Sequence, residues 1–138
     1  MKNSLLDRLV NSRAEMSLYA AIRRDLENLL NTRCMNLAWP KEWQELPSSL
    51  LAYGMPDFMG HALETAETQK KFCKKMQQII WNFETRFQVV EVSLLQDSVA
   101  HDHVLRMRIE GLVDVESALE SIVLDSELEP ETRNFRFL

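Results

Sequence analysis

The stretch KKFCKKMQQIIWNFETRFQVVEVSLL, residues 70–95, contains a change from helical to strand periodicity. Its first half spaces large apolar residues three and four positions apart, as on one face of an α-helix: Phe72, Met76, Ile79, Ile80 and Phe83. From Phe87 the period falls to two, as in a half-buried strand: Val90, Val92 and Leu94 alternate with Glu91 and Ser93. The stretch therefore predicts a helix that leads directly into a strand.

Glu84, Thr85 and Arg86 lie at the joint between this helix and this strand, flanked by two phenylalanines. A solvated helix face does not explain two opposite charges in that setting. A Glu/Arg pair at a helix end is preorganised for a polar interface, so Glu84 and Arg86 are interface candidates. Because Arg86 follows the end of the apolar stripe, we expect its loss to open no large cavity.

Two further segments upstream have helical or turn signals. Ser17 is a suitable cap for a helix that ends near Asn31 and buries a stripe of leucines and isoleucine. Ser48 or Ser49 starts a short helical turn that Gly54 can end with positive φ. The two tryptophans of the 32–47 connection suggest packing, either on the domain itself or on a partner. Tyr53 and Asp57 of the rigid turn are candidates for a binding surface.

The C-terminal half has strand patterning. Leu105, Met107 and Ile109 alternate with charged residues, and we expect Gly111 and Asp114 to loosen the end of that strand. A third strand is predicted around residues 122–128, and Phe135, Arg136 and Phe137 form a short last strand. The fold class is α+β: two main helices packed on a mostly antiparallel sheet of three to four strands, in a single domain. The last strand is predicted to have an uncovered edge.

Composition limits the classes of function. The chain has 138 residues, enough for one domain, which we place at residues 16–138 after an N-terminal arm at residues 1–15 that a partner could order. A net charge of −5 without clustered Lys or Arg argues against nucleic-acid binding. Cys34 and Cys73 match no metal or redox spacing. No signal peptide or apolar run long enough to span a membrane is recognisable, so we expect a cytoplasmic protein without membrane insertion.

No complete catalytic constellation is recognisable. His101 and His103 would face the same way on a strand, but a third zinc ligand, with Asp97 nearest, has no independent signal. Glu84 and Asp57 could imitate a glycosidase pair, yet a carboxylate paired with Arg86 is a poor general acid. We therefore expect no enzyme activity, no catalytic residue, no cofactor and no metal.

Four motifs in order resemble one family, the small baseplate wedge proteins of contractile injection machines, which include TssE of the type VI secretion system. They are the joint at residues 84–86, the LENLLNT segment at 26–32, the SLLAYGMPD loop at 49–57 and the SEL segment at 126–128. The family has proline where this chain has Thr85, so the rigid φ of proline is missing at the joint.

The resemblance implies a structural subunit that docks on larger wedge subunits (TssF/TssG-like) and templates sheath polymerisation by sheath subunits (TssB/TssC-like). It implies that Glu84 and Arg86 seat on the wedge subunits and that sheath strands add to the sheet, with the edge of Phe135, Arg136 and Phe137 as the first candidate. A regulatory protein of the same fold that blocks an adaptor, and a lysozyme-like hydrolase, are the alternatives. Co-purifying partners would distinguish these three classes.

Overall fold

The computed structural model of the chain describes residues 17–34, 39–56, 65–95, 104–129 and 131–138. Two helices pack on a four-stranded antiparallel sheet with the strand order β1-β2-β3-β4. The elements are α1 (Leu18–Asn31), α2 (Ala66–Phe83), β1 (Phe87–Leu94), β2 (Leu105–Val115), β3 (Ala118–Glu129) and β4 (Asn134–Phe137). The predicted α+β class is confirmed, and residues 1–16 and 57–64, which include the expected arm and Asp57, lie outside the described residues.

Helix α1 begins at the predicted cap, Ser17, and helix α2 begins at its cap, Thr65. The Ser17 hydroxyl accepts the Ala20 N–H at 3.2 Å. Thr65 and Thr68 form a reciprocal capping box, in which each side chain accepts the other residue's backbone N–H. The apolar stripes of the two helices then face a common core with the inner side of the sheet. These caps and stripes confirm the predicted helices.

The end of β2 differs from the expectation. Strand β2 continues through Gly111 and Asp114 to Val115, and a two-residue hairpin loop at Glu116 and Ser117 connects it to β3. Both loop residues have positive φ, 50° and 72°, and the Asp114 carboxylate accepts the Ser117 N–H at 3.0 Å. Asp114 therefore shapes the hairpin instead of loosening the strand.

Gly111 makes room for an aromatic ring. A Cβ atom at this position would lie 2.3 Å from Cε1 of Phe87. Phe87 begins β1 with a buried side chain, and the register of β1 against β2 shifts between Phe87 and Val89. The glycine is therefore a packing requirement of the first strand.

The connection between the helices is held against the end of α1. The Met55 N–H donates to the Thr32 carbonyl at 2.8 Å, and the Cys34 N–H donates to the Met55 carbonyl at 3.0 Å. Gly54, which directly precedes Met55, has the expected positive φ, 112°. Of the two tryptophans in this connection, Trp39 is partly buried, while Trp43 is 58% exposed and does not pack into the domain. No helix in the described part of the chain is long and apolar enough to cross a membrane.

Candidate functional site

The joint between α2 and β1 contains a three-residue ion-pair network. Arg86 donates from Nε to Glu84 Oε1 and from Nη2 to Glu84 Oε2, both at 2.6 Å. Its Nη2 also donates to Asp25 Oδ2 of α1 at 2.6 Å. The side chains of Arg86 and Glu84 are only 14% and 7% exposed, and that of Asp25 is 30% exposed. We call Asp25, Glu84 and Arg86 the joint network.

Local backbone geometry brings Glu84 and Arg86 together. Glu84 is the C-cap of α2: its N–H still donates to the Ile80 carbonyl at 2.8 Å, but its ψ of 88° turns the chain out of the helix. The chain then reverses, so that the Arg86 backbone N–H donates to Glu84 Oε1 at 3.2 Å. The side-chain and backbone bonds to Glu84 hold the turn at Thr85 without a proline.

The network holds Arg86 firmly as a cation. The hydrogen bonds that Arg86 donates to Glu84 raise the pKa of Arg86, and this effect, with the nearby charges of Glu84 and Asp25, exceeds the opposing effect of burial. Asp25 also accepts from Arg24, from Nε at 3.0 Å and from Nη2 at 2.8 Å, so the two carboxylates are balanced by two guanidinium groups. A partner would therefore meet polar groups that are already held in place, without a net charge on the cluster.

Tyr53 lies beside the joint network. Its ring meets the ring of Phe83 edge to face, with centroids 5.3 Å apart and planes at 80°. Burial first, and then the charges of Asp25 and Glu84, raise the pKa of the Tyr53 hydroxyl, which therefore remains a donor. These residues and the exposed Thr85 line a cleft of about 380 Å³. The structure thus brings Tyr53, Glu84 and Arg86 together, as one surface would require.

The geometry of the joint offers preorganised polar groups to a binding partner. Both Glu84 oxygens accept from Arg86, so this carboxylate is already engaged within the joint network. Its suggested glycosidase partner, Asp57, lies outside the described residues, as do Asp97, His101 and His103. Within the described ranges, no group of three or more His, Cys, Asp and Glu residues could hold a metal ion.

The edge of β4 is covered, which corrects the expectation of an open edge. The Phe135 N–H donates to Asn31 Oδ1 at 2.7 Å, and Asn31 Nδ2 donates back to the Phe135 carbonyl at 2.9 Å. Arg23 donates to the Phe137 carbonyl at 3.0 Å. Side chains of α1 therefore occupy outward-facing backbone groups of β4, because α1 crosses this edge.

The side chains of the last strand also differ from those of an exposed interface. Phe135 and Phe137 are buried in the core, 2% and 4% exposed, with ring centroids 5.4 Å apart. Arg136 is exposed and pairs with Glu127 of β3 at 3.0 Å. Because adjacent residues of a strand alternate in direction, the Arg136 N–H faces β3. This residue's backbone is part of the sheet's internal ladder.

The edge of β1 is the other edge of the sheet, and none of the described residues covers it; we call it the open β1 edge. The Leu95 N–H donates to the Arg106 carbonyl at 2.9 Å, so the backbone groups of Leu94, and by alternation those of Val92 and Val90, point away from β2. Within the described part of the chain, no partner is recorded for these outward groups. Three residues of β1 thus present free donors and acceptors to a further strand.

Sequence reasoning gave no individual role to Asp25, Arg23 or Asn31, although Asn31 belongs to the LENLLNT segment. Asp25 directly precedes the buried Leu26, and this position at the border of the apolar stripe was the available signal. Asn31 is the last residue of α1, where an amide side chain can reach beyond the helix. The partner of Asp25 is 61 positions away in sequence and that of Asn31 is 104 positions away, and no local pattern reveals such contacts.

Comparison with protein families supports the resemblance carried by the first three motifs, and the SEL segment at 126–128 lies beyond the matched range. The family model described as baseplate wedge protein gp25 matches residues 16–118, three quarters of the chain. A search of curated proteins finds no match. The matched range includes α1, the joint network, the open β1 edge and the hairpin after β2. The chain belongs to the family of the baseplate wedge protein gp25.

Proposed function

We propose that this chain is a structural subunit of a type VI secretion system baseplate, a cytoplasmic TssE-like protein without enzyme activity. It docks on larger wedge subunits and templates sheath polymerisation. The observation that carries the proposal is the joint network, in which a nearly buried ion pair lies next to an accessible cleft. Membership of a baseplate wedge family supports this assignment.

Docking occurs at the cleft that Tyr53, Thr85 and the joint network line. Polar groups that are already held in place lose little freedom on binding, so their bonds to a partner contribute more to affinity. The raised pKa of Tyr53 keeps its hydroxyl protonated, which suits a partner surface that presents hydrogen-bond acceptors. The wedge subunits of the TssF and TssG type are the proposed partners.

Sheath subunits, of the TssB and TssC type, add a strand to the sheet. The open edge of β1 supports this step better than the edge of β4, where Asn31 and Arg23 already hold the backbone groups. Strand addition draws its affinity from main-chain hydrogen bonds. The outward backbone groups of Val90, Val92 and Leu94 are the ones that would form them.

The docking step can be tested without disturbing the ion pair. Thr85 is exposed in the cleft, so Thr85→Trp fills the surface and leaves the bonds between Arg86 and Glu84 in place. Tagged protein purified from its own host should lose the wedge subunits, with an unchanged melting temperature. Lys75→Trp, on the outer face of α2, is the matched control. Retention of the wedge subunits by Thr85→Trp, or recovery of a regulatory adaptor in their place, would refute the proposal.

The sheath step has a separate test. Leu94 is half-buried at the end of β1 with its N–H outward, so Leu94→Pro removes a docking donor and no bond of the β1–β2 ladder. Leu94→Ala controls for the lost side chain. Sheath assembly, followed by fluorescence of a labelled sheath subunit, should stop only with proline, while wedge co-purification continues. Normal sheath assembly with Leu94→Pro would show that β1 is not the template.

A further inference from the structure

The open β1 edge is accompanied by a groove that can select the side chains of an added strand. The groove has a volume of about 430 Å³ and lies between one flank of α2 and the first half of β1. Lys74, Gln77 and Trp81 line it from the helix, and Val89 and Val90 line it from the strand. We call this space the flank groove.

The flank of α2 has two chemically different ends. Lys70, Lys74, Gln77 and Trp81 are spaced four, three and four residues apart, so they lie along one side of the helix. Trp81 is 52% exposed and lies at the end of this flank nearest the joint. Within the described part of the chain, Lys74 forms no ion pair. The groove therefore has an apolar end near the joint and a cationic end farther along β1.

The direction of the β1 side chains determines what enters the groove. The Val90 side chain is buried on the helix side of the sheet, while its backbone groups point outward. Residues paired across neighbouring strands send their side chains to the same face. A residue that pairs with Val90 therefore places its side chain in the flank groove, against Trp81.

Spacing then locates the second contact. Lys74 precedes Trp81 by seven residues, about 10.5 Å along the helix. A strand advances about 6.6 Å in two residues, which is less than the helix distance between Trp81 and Lys74. The long, flexible side chain of Lys74 can reach back over the remaining distance. The residue that pairs with Val92 is thus within reach of Lys74, on the same face as the residue that pairs with Val90.

We infer that the flank groove recognises an extended segment of the sheath subunit that carries a large apolar residue and an acidic residue separated by one position. The apolar side chain packs on Trp81 and the carboxylate pairs with Lys74. This inference rests on the proposed strand addition at β1 and specifies the chemistry of its partner. Main-chain pairing supplies the affinity and the groove supplies the specificity.

Two exposed side chains test the inference without loss of core packing. Trp81→Ala and Lys74→Glu should each reduce the sheath subunit recovered with the baseplate by about tenfold or more, with wedge recovery and melting temperature unchanged. Trp43→Ala, another exposed tryptophan, and Lys75→Glu, a neighbouring lysine outside the groove, are the matched controls. If Trp81→Ala alters the melting temperature, the result for Lys74→Glu alone tests the groove inference.

A photo-crosslinking amino acid in place of Gln78, which also lines the groove, identifies the captured segment in cells. We expect a sheath peptide with the apolar and acidic pair, and replacement of that acid by lysine should restore assembly to the Lys74→Glu variant. If Leu94→Pro blocks sheath assembly while Trp81→Ala and Lys74→Glu do not, the groove inference is wrong, and the proposed strand addition at the β1 edge still stands. If Leu94→Pro also has no effect, the proposed sheath function itself is wrong.

Discussion

Replacing Arg86 with alanine tests how much the joint network contributes to the stability of the fold. The sequence suggested little effect on folding, because Arg86 follows the apolar stripe and its loss opens no large cavity. The structure identifies a different cost. Glu84, whose side chain is 7% exposed, would remain nearly buried without its cation, and Asp25 of α1 would lose the bond that it accepts from Arg86.

The magnitude follows from burial. Removal of one partner of a buried ion pair costs about 3–5 kcal/mol, because the remaining charge is uncompensated. Asp25 is 30% exposed and still accepts from Arg24 at 2.8 Å, so it adds little to this loss. Against a typical domain stability of about 5–15 kcal/mol, the loss is a large fraction. For a chain of this length, we expect a decrease in melting temperature of about 10–15 °C.

Thermal unfolding followed by circular dichroism provides the measurement, with three variants. Arg86→Ala and Arg86→Met should both be strongly destabilised, while Glu84→Gln combined with Arg86→Met should recover most of the loss, since no buried charge then remains. A melting temperature for Arg86→Ala within about 2 °C of the parent chain would refute the reasoning. Equal instability of the double variant would show that packing, and not charge, is lost.

Four further outcomes follow from contacts elsewhere in the chain. Asn31→Ala should cost about 1–3 kcal/mol in urea unfolding and speed amide exchange at Phe135, whose N–H and carbonyl lose their partner. Gly111→Ala should cost about 1–3 kcal/mol, because its Cβ collides with the Phe87 ring, and Phe87→Leu in the same chain should restore part of it. The hydrogen bond that Asp125 accepts from Arg108 lowers the pKa of Asp125. This pair therefore stabilises the fold above the ordinary carboxyl pKa of 3.8, and the stabilisation is lost as pH falls through the lower pKa of the folded state. The difference in melting temperature between the parent chain and Asp125→Asn should therefore shrink between about pH 5 and about pH 2. A chelator should leave the melting temperature unchanged, and a metal-dependent shift would contradict the expectation of no metal.

Local periodicity predicted those elements whose apolar pattern is complete within the element. The stripe of α2, its change of period at Phe87 and the short alternation of β4 required no knowledge of the rest of the chain. The extent of β2 was not predictable in this way. Gly111 resembles a strand terminator in sequence, and only the ring of Phe87 across the sheet explains it. The hairpin at Glu116 and Ser117 contains no glycine or asparagine, which are the usual signals of such turns.

In the candidate site, too, contacts between residues close in sequence were predictable, and contacts between distant residues were not. Glu84 and Arg86 are two positions apart, so their pairing was visible in the sequence. Asp25 joins them from α1, and the coverage of β4 depends on Asn31, also on α1. Both contacts require the helix to be placed over the sheet first. An expected open edge was therefore assigned to the wrong end of the sheet, although the sheet itself was predicted.

Helix α1 connects the two proposed interfaces through side chains on different faces. Asn31 occupies the backbone groups of β4, which leaves β1 as the free edge in the described sheet, and Asp25 binds Arg86 at the joint. Arg86 directly precedes Phe87, the first residue of β1. A wedge subunit docked at the joint network would thus fix the direction in which β1 leaves the interface. The orientation of the first added sheath strand would then be set by covalent geometry, without a conformational change in the sheet.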